Sequence, residues 1–474
     1  MRSLGVLHQR SEDCGTLTDR IGQIVIALAA RIKVMEKPLS SERSNVLHSW
    51  CVQAEWNAPT VVGGEGAHFW DDAGRRYLDM SSLAECMNLG HQHPALIRAI
   101  QIQAQQLCFV NSSWGATARA DLAERLLARS GFAGGRVFFT LGGADANEHA
   151  VKFARQASGR AGGKVVTRER SYHGASYATM ALSGDSRTGQ LDAEPFGVLR
   201  VPPPYAYRCP YGTDDPIDCA KRNVAHIGES IAREGSRNVA AVLMEPNAGT
   251  NGIIAPPNYW PLLRQETRKH DVYLIADEVM SGFGRCGEWF AWAAYGEEGR
   301  PDLMTLAKGL TGAHIPLGAV VLAEHVAANL EHSMLSTGLT YCGHPLACAA
   351  GVAALAAYED ERLIERSRCL GRIMLRRLED MQNAHAMIGD VRWGGGLFAI
   401  VELVKDRRTR EPLAPWPAVH PSMHLFVSRA REREISFAIR GNLIILAPPL
   451  VILESDLQLA LDTMDRLLGE LNWQ

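Results

Sequence analysis

The sequence has little net charge, no long apolar run and no paired cysteine motif. Its 49 Lys and Arg residues nearly balance 52 Asp and Glu residues, so the formal net charge is -3. Such a chain lacks the basic stripe that binding to nucleic acid or an anionic membrane requires, and small molecules are the expected partners. The ten cysteines include no Cys-x-x-Cys pair, and no secretory signal is evident. We therefore expect a reduced, cytoplasmic protein.

The chain is long enough for several domains and carries one short apolar stretch near its start. The stretch "IGQIVIALAARI" at 21–32 is too short to span a bilayer. It predicts an amphipathic helix or a poorly ordered extension, and an arm covering a dimer is the functional alternative. We divide the chain into an N-terminal extension (1–45), a first part of a small domain (46–95), a large domain (96–346) and a C-terminal small domain (347–474).

Hydrophobic patterning predicts an α/β fold. Residues from about 50 to 80 alternate as in a small antiparallel meander broken by Gly and Asp turns. Between 136 and 322, apolar runs such as "RVFFTLGG", "VAAVLMEP" and "VYLIADEV" alternate with helical or Gly-rich stretches. This predicts a mostly parallel sheet covered on both faces, with ligands bound beyond the carboxyl ends of its strands. The remaining chain predicts a smaller α+β unit.

Lys308, in "MTLAKGLTG", follows one of these apolar runs. A lysine there can be the solvated tip of a strand, because most lysines are exposed. It can instead be an amine in a desolvated site, where a lowered pKa makes it a nucleophile towards carbonyls. Asp277 ends the preceding apparent strand, so neighbouring strands would bring both side chains to one edge of the sheet. A buried Asp277 also requires a cationic partner.

Other motifs are ambiguous when taken alone. Two glycines and a helix start in "TLGGADANEHAVKFAR" could bind phosphate or form a plain turn. Tyr172 and His173 follow a strand, where an aromatic ring can stack on a planar ligand or simply pack. Three glycines, Gly282, Gly284 and Gly287, spell a dinucleotide-binding pattern, but no convincing helix follows them. We interpret "GHQHP", with His91 and His93, as a turn and not a metal site.

Together, the motifs "GGADANE", "SYHG", "EPNAGTNG", "ADEVMSGFGRCG", "AKGLTGAHIPLGA" and "LTYCGHPLACAA" resemble those of the class III aminotransferases, in this order and spacing. These are pyridoxal-phosphate enzymes of fold type I, and the resemblance covers roughly residues 45–465. It implies a large domain with a mostly parallel seven-stranded sheet between helices. It also implies a smaller α+β domain formed by both ends of the chain.

The resemblance implies roles for individual residues. Lys308 would form the Schiff base with the cofactor aldehyde and later shuttle a proton, and Asp277 would hold the pyridine nitrogen protonated. Thr340 would reach the phosphate from the neighbouring subunit of a homodimer or dimer of dimers. The further cofactor contacts implied are Gly143, Ala144, Tyr172, His173, Glu245 and Val279, and the substrate contacts implied are Arg440, Glu245 and Trp114.

The sequence departs from the family pattern at two positions. Ala144 stands where the family usually has Ser or Thr in its phosphate cup. Ala438 stands where the family usually has the arginine that binds the substrate carboxylate, and Arg440, two residues on, is the nearest candidate because a shift of two keeps the same strand face. We predict that Glu245 pairs with Arg440 when no carboxylate is bound.

The expected activity is transfer of an amino group from an amine or ω-amino acid, such as taurine, β-alanine or a diamine-like donor, to a keto acid, with pyruvate as the expected acceptor. A diaminopelargonate-type or ornithine-type aminotransferase is the alternative within the family. A nicotinamide-dependent oxidoreductase using the three glycines, and a non-catalytic dimeric binding protein, are the alternatives from other classes.

Overall fold

The computed structural model describes residues 39–188 and 197–471, so the predicted helix or extension at 21–32 lies outside the described residues. The chain divides into two compact units, Met1–Thr60 and Val61–Gln474. The division into four segments made from the sequence stays a prediction.

The described part of the first unit is short. It contains the helix Leu39–Asn45 and the 3-10 turn Gln53–Glu55. The ring of His48 stacks on Trp56 with 3.6 Å between centroids.

The second unit alternates strands and helices along most of its length. Its strands are β1 (Val61–Glu65), β2 (His68–Asp71), β3 (Arg76–Asp79), β4 (Arg136–Thr140), β5 (Lys164–Arg168), β6 (Val198–Val201), β7 (Val239–Met244), β8 (Asn247–Ala248), β9 (Ile253–Ile254), β10 (Tyr273–Asp277), β11 (Leu303–Leu306), β12 (Gly318–Leu322), β13 (Ile388–Trp393), β14 (Ala399–Asp406), β15 (Glu411–Pro412), β16 (Ile435–Ser436), β17 (Ala438–Arg440) and β18 (Leu443–Leu446). Its helices are Pro94–Gln106, Thr117–Ser130, Gly143–Ala157, Tyr177–Leu182, Pro216–Glu234, Tyr259–Lys269, Glu324–Ala328, Pro345–Asp360, Leu363–Ala384, Pro421–Glu432 and Glu454–Glu470, with a short left-handed turn at Ser82–Glu85. Within the described ranges, no helix combines the length and apolarity needed to cross a membrane.

Seven strands form the central sheet in the order β4-β12-β11-β10-β7-β5-β6. β10 runs parallel to both of its neighbours, β7 and β11, and β5 runs parallel to β6 and β7. β12 runs antiparallel to both of its neighbours, β4 and β11. The predicted α/β fold with a mostly parallel seven-stranded sheet is thus confirmed. The edge strand β6 was not anticipated from the sequence.

Helices cover both faces of this sheet. Since successive side chains of a strand point to opposite faces, a single strand packs against the helices on both sides. Along β7, Val242 and Met244 pack in a buried cluster with side chains of the helices Pro216–Glu234 and Tyr259–Lys269. Ala241 and Leu243 pack on the other side against the helix Gly143–Ala157. A strand buried on both faces has no polar alternation, which explains the continuous apolar runs in the sequence.

Two smaller sheets complete the second unit. β1, β2 and β3 form the antiparallel meander predicted from the sequence, and β16 adds to β3 in parallel through Ile435 and Leu78. A second sheet has the order β13-β14-β18-β17, with β15 paired to β14. The meander therefore contains strands from both ends of the chain, as the resemblance implied.

Candidate active site

A cavity of about 220 Å³ lies at the carboxyl edge of the central sheet. The segments that follow β4, β5, β7, β10 and β11 all contribute to its wall, which is where ligands of parallel sheets bind. Eight residues predicted from the sequence line it: Gly143, Ala144, Tyr172, His173, Glu245, Asp277, Val279 and Lys308. The fold therefore brings together the residues that the motifs suggested separately.

Asp277 is buried at the end of β10 and is held by several hydrogen bonds. Its Oδ2 accepts from Asn147 Nδ2 and lies 2.8 Å from His173 Nδ1, and its Oδ1 accepts from the backbone N–H of Val279. Thr305 on β11 donates in turn to the Asn147 amide oxygen at 2.7 Å. An amide, a histidine ring and a backbone N–H therefore hold this carboxylate at the cavity wall. Of these three groups, only the histidine ring can carry the positive charge that the sequence led us to expect. Sequence reasoning missed the role of Asn147 in this network.

Lys308 follows β11 and has a left-handed backbone conformation, with φ of 42°. Its Nζ donates a hydrogen bond of 2.9 Å to Glu85 Oε2. Desolvation acts to lower the pKa of Lys308, but the charge and hydrogen bond of Glu85, with smaller contributions from Cys86 and Asp277, raise it to about 12. The lowered pKa expected from the sequence is therefore wrong for the cofactor-free chain. The burial that we invoked is present, but an acidic neighbour outweighs it.

Glu85, the hydrogen-bond partner of Lys308, is a second residue that sequence reasoning missed. It ends a turn in which four successive residues, Ser82–Glu85, have positive φ between 41° and 71°. Left-handed conformations cost non-glycine residues roughly 1 to 2 kcal/mol each, so the surrounding structure must hold the turn. Asp79 Oδ1 accepts from the backbone N–H of Ser81, and Ser82 Oγ donates 2.6 Å to the Ala447 carbonyl. "SSLAEC" carries no local signal for such a turn.

The helix Gly143–Ala157 begins at the cavity wall and fits a phosphate group. Gly142 before it is extended, and no side chain caps this helix start. The N–H groups of the first turn, from Gly143 and Ala144, have no partners within the helix and can bind an anion. A Cβ on Gly143 would lie only 2.8 Å from a methyl carbon of Val279. Glycine at this position therefore allows Val279 to pack directly against the helix start.

The side chains that line the cavity fit a flat aromatic ring. Tyr172 follows β5, Val279 follows β10, and both line the cavity together with Asp277. The Tyr172 backbone N–H donates to Glu245 Oε1 at 3.0 Å, which fixes the start of the tyrosine segment. An aromatic side chain, an aliphatic side chain, a carboxylate and a free helix start together fit a planar heteroaromatic phosphate.

Glu245 pairs with Arg168, and the predicted pairing of Glu245 with Arg440 is wrong. Its Oε2 accepts from Arg168 Nη2 at 2.7 Å, and its backbone carbonyl accepts from Nη1 at 3.2 Å. Both side chains are buried, so removing either would leave an uncompensated charge. Arg168 ends β5 next to β7, so neighbouring strands bring the two together. Their separation of 77 residues hid the pair from sequence reasoning.

Arg440 is connected to the cavity through Asp185 and does not line it. Its Nη2 donates 2.9 Å to Asp185 Oδ1 and its guanidinium lies 5.8 Å from the Trp416 ring centroid. Asp185 is buried, and two nitrogens of Arg187 also bind it. The Arg187 guanidinium in turn lies 5.0 Å from the ring centroid of Tyr172, which lines the cavity. One carboxylate thus holds two arginines near the ring-binding wall.

Trp114 and Thr340 lie outside the cavity of their own chain. Trp114 is 69% exposed, and its backbone carbonyl accepts from Arg119. Thr340 is exposed in the segment before the helix Pro345–Asp360. The structure therefore does not bring Trp114 to the predicted substrate site, and the single chain leaves the intersubunit role of Thr340 a prediction.

The three glycines of the dinucleotide-like pattern serve packing. They lie in a series of turns after β10, with no helix opening behind them. A Cβ on Gly284 would meet Ile364 and Leu450 at 2.7 and 2.9 Å, and a Cβ on Gly287 would meet the Gly395 carbonyl at 2.4 Å. Both glycines also have positive φ. The nicotinamide alternative consequently loses its structural basis.

The two histidines of "GHQHP" bind separate acids. His91 Nε2 lies 3.1 Å from Asp79 Oδ2, and His93 Nε2 lies 2.8 Å from Glu361 Oε1. Over residues 39–188 and 197–471, no group of three or more acids, histidines and cysteines is arranged to hold a metal ion.

Comparison with known proteins agrees with this geometry. The family described as aminotransferase class-III matches residues 52–468. A leucine/methionine racemase from Thermococcus litoralis is 33% identical over 87% of this chain and 91% of its own length. A putrescine–pyruvate aminotransferase from Pseudomonas aeruginosa is 32% identical over 84% of this chain and 88% of its own length.

Among solved structures, a taurine:2-oxoglutarate aminotransferase from Bifidobacterium kashiwanohense, in complex with PLP and glutamate, superposes with a TM-score of 0.86. It is 35% identical, and the match covers 91% of this chain and 96% of that one. The family match, the full-length relatives and the cavity agree, and the chain belongs to the class III aminotransferases, which are pyridoxal-phosphate-dependent enzymes.

Proposed function

We propose that this protein transfers an amino group from an amine or ω-amino acid to a keto acid, with pyruvate as the acceptor, in two half-reactions. The observation that carries the proposal is the placement of the Lys308 amine and the Asp277 carboxylate on one cavity at the ends of neighbouring parallel strands. The names of relatives support this class of reaction, because one acts on putrescine and pyruvate and another on taurine and 2-oxoglutarate.

The residues of the cavity divide the work. Bound pyridoxal phosphate supplies an aldehyde and an electron-withdrawing ring that stabilises negative charge at the donor carbon. The N–H groups of Gly143 and Ala144 would hold its phosphate, and Tyr172 and Val279 would pack against its ring. Asp277 would keep the ring nitrogen protonated, while His173 and Asn147 hold that carboxylate in place.

Lys308 Nζ is the atom that moves the proton. It takes the proton from the donor carbon when neutral and returns it to the cofactor carbon when charged. Glu85 accepts a hydrogen bond from this same nitrogen and therefore favours the charged form. Proton abstraction consequently requires Lys308 to separate from Glu85.

The acceptor carboxylate requires a cation, and we propose that Arg440 provides it. An arginine that stays buried without a carboxylate is disfavoured, so the donor half-reaction requires a replacement partner. The partner in the structure is Asp185, not the Glu245 that we first predicted. Arg440 would move from Asp185 to the keto acid, and Arg187 would remain on Asp185 to balance its charge.

We propose that the active unit is a homodimer and that it works in the cytoplasm. The exposed rings of Phe109 and Tyr341 contact each other, with 5.7 Å between their centroids, and Tyr341 directly follows Thr340. Trp114, which is close to Phe109 in the sequence, is also exposed. Exposed aromatic clusters of this kind mark protein interfaces. We propose that a second copy packs on this patch and contributes its Thr340 to the phosphate site of this chain.

Two experiments test these proposals. The purified enzyme is loaded with pyridoxal phosphate, and the visible spectrum is followed while amines are added without acceptor; a panel with pyruvate then measures product. We expect a spectral change that is lost in Lys308→Ala, and a lack of response to every amine would reject the activity. L-Leucine without a keto acid serves as a control for racemisation, because one relative carries that name.

The subunit arrangement is tested by mixing Lys308→Ala with Thr340→Ala. If Thr340 reaches the partner's site, one site of the heterodimer carries both lesions and the other is intact. Activity above that of either parent supports sharing. Activity equal to the mean of the parents argues against it.

A further inference from the structure

The Glu85 carboxylate accepts a hydrogen bond of 2.9 Å from the ammonium nitrogen of Lys308, and the Glu85 side chain is only 8% exposed. We infer that Glu85 selects amine donors that carry a second positive charge, of the diamine class, by binding their distal ammonium in place of Lys308. The inference rests on the proposed transamination and names the donor class for that same cavity.

Catalysis itself takes the partner of Glu85 away. When Lys308 Nζ is used covalently it no longer presents a free ammonium to the carboxylate, which stays in its buried position. A buried carboxylate that loses its cation is disfavoured unless another cation replaces it. The donor enters the cavity at the same point of the reaction, so a cationic group on the donor is a ready replacement.

Other charges around Glu85 do not replace Lys308. Arg285 is fully buried and close enough for its charge to interact with those of Glu85 and Asp79. The bonds of Arg285 go to neutral oxygens, namely the carbonyls of Leu397 and Pro448, Ser82 Oγ and Asn88 Oδ1. Cys86, beside Glu85, has its pKa raised by burial and adds no positive charge. Arg285 therefore moderates the charge of Glu85 without binding it.

The carboxylate adjoins two residues of the cavity wall, Lys308 and Gly249. A Cβ added to Gly249, which lines the cavity, would lie 3.4 Å from Cδ of Glu85. The carboxylate thus lies between the reactive amine and the Gly249 wall. A sulfonate or carboxylate on the donor would be repelled there, whereas an ammonium would form a charge-assisted hydrogen bond.

A diamine would also free the base. Glu85 holds Lys308 in its charged form, and a charged lysine cannot take a proton from the donor carbon. An ammonium that occupies Glu85 removes this pairing at the step that needs a neutral Lys308. We therefore expect the distal charge of the donor to affect the rate of the half-reaction as well as donor binding.

The test compares putrescine with n-butylamine, which has the same carbon chain but lacks the distal ammonium. The first half-reaction is followed by the cofactor spectrum in the wild-type enzyme, in Glu85→Gln and in Glu361→Gln. Glu361 pairs with His93, which is not a residue of the cavity wall, whereas Glu85 pairs with the wall residue Lys308, so the Glu361 variant controls for loss of an acidic group. We expect the wild type and Glu361→Gln to prefer putrescine by roughly 10- to 100-fold, and Glu85→Gln to lose most of this preference.

A second measurement does not depend on turnover or on Glu85→Gln folding. Lys308→Ala loaded with pyridoxal phosphate keeps Glu85 and cannot complete the reaction, so dissociation constants for the two amines follow from their spectral shifts. Tighter binding of putrescine supports the inference. Equal binding, or a wild-type preference for butylamine, β-alanine or taurine over putrescine, overturns it while transamination stands. If no amine reacts in the wild type, the proposed function fails first.

Discussion

Replacing Glu85 by Gln is expected to lower the pKa of Lys308 and to speed its covalent capture of pyridoxal phosphate. The change keeps the size of the side chain and removes the charge that opposes loss of the Lys308 proton. The pKa of Lys308 is raised to about 12, so at neutral pH almost every molecule of the cofactor-free protein carries the unreactive ammonium. The neutral amine is the nucleophile.

The magnitude follows from the contact. Unit charges 2.9 Å apart attract by roughly 6 kcal/mol at an effective dielectric constant of about 20. This Coulomb energy would correspond to roughly four pKa units, but solvent screens a lysine that is 23% exposed. We expect a fall of about 1 to 3 units, the usual effect of one neighbouring charge. A fall of two units increases the neutral fraction, and the capture rate at fixed pH, by about 100-fold.

The assay is stopped-flow mixing of cofactor-free protein with pyridoxal phosphate from about pH 7 to pH 10. The rate of the visible absorbance change is compared among the wild type, Glu85→Gln and the control Glu361→Gln. The rate should rise with pH in all three, with the Glu85→Gln profile displaced to lower pH. Superimposable profiles for the wild type and Glu85→Gln would show that Glu85 does not hold the proton on Lys308.

Three further predictions concern other charged groups. Asp277→Asn should reduce kcat by at least about 100-fold with cofactor still bound, because the ring nitrogen loses its anion. Steady-state kinetics measure kcat and the absorbance of the cofactor shows that it is bound; an unchanged kcat would contradict this role of Asp277. Arg440→Ala should raise the KM for pyruvate by roughly 10- to 100-fold and leave the donor half-reaction near normal, and equal damage to both would indicate a structural role. Burial raises the pKa of Glu278 to about 7, so between about pH 4.3 and pH 7 the folded state holds a proton that the unfolded state releases. Stability from this group is present below that range and is lost as pH rises through it, and thermal midpoints of Glu278→Gln should vary less across the range than those of the wild type.

The parts of the site that could be predicted from the sequence are those fixed by one strand and the residue after it. Asp277 and Lys308 meet because β10 and β11 are parallel neighbours, with Asp277 opposite Thr305. Apolar runs revealed both strands, and parallel pairing places their ends at one edge. The family resemblance added Val279, and it favoured stacking on the cofactor over simple packing for Tyr172, which the sequence had already singled out.

The parts that escaped prediction depend on distant contacts or unusual backbone. Glu85 reaches Lys308 through a left-handed turn that its own residues do not favour, and that Ala447, far along the chain, helps to hold. The pairing of Glu245 with Arg440 was taken from the family resemblance and is wrong, because the fold gives each of the two a different partner. The fold instead places Arg168 within 3 Å of Glu245 and Asp185 within 3 Å of Arg440.

The close approach of Gly143 to Val279 ties the two ends of the cofactor site together. One residue supplies an N–H at the helix start and the other packs beside the ring position, with no room between them for a methyl group. The added methyl group of Gly143→Ala would displace Val279 towards the position of the cofactor ring. A substitution made to alter phosphate affinity would therefore also tilt the ring relative to Asp277. Engineers who wish to tune cofactor retention in this protein should therefore vary positions 143 and 279 as a pair, trading a smaller side chain at one for a larger side chain at the other.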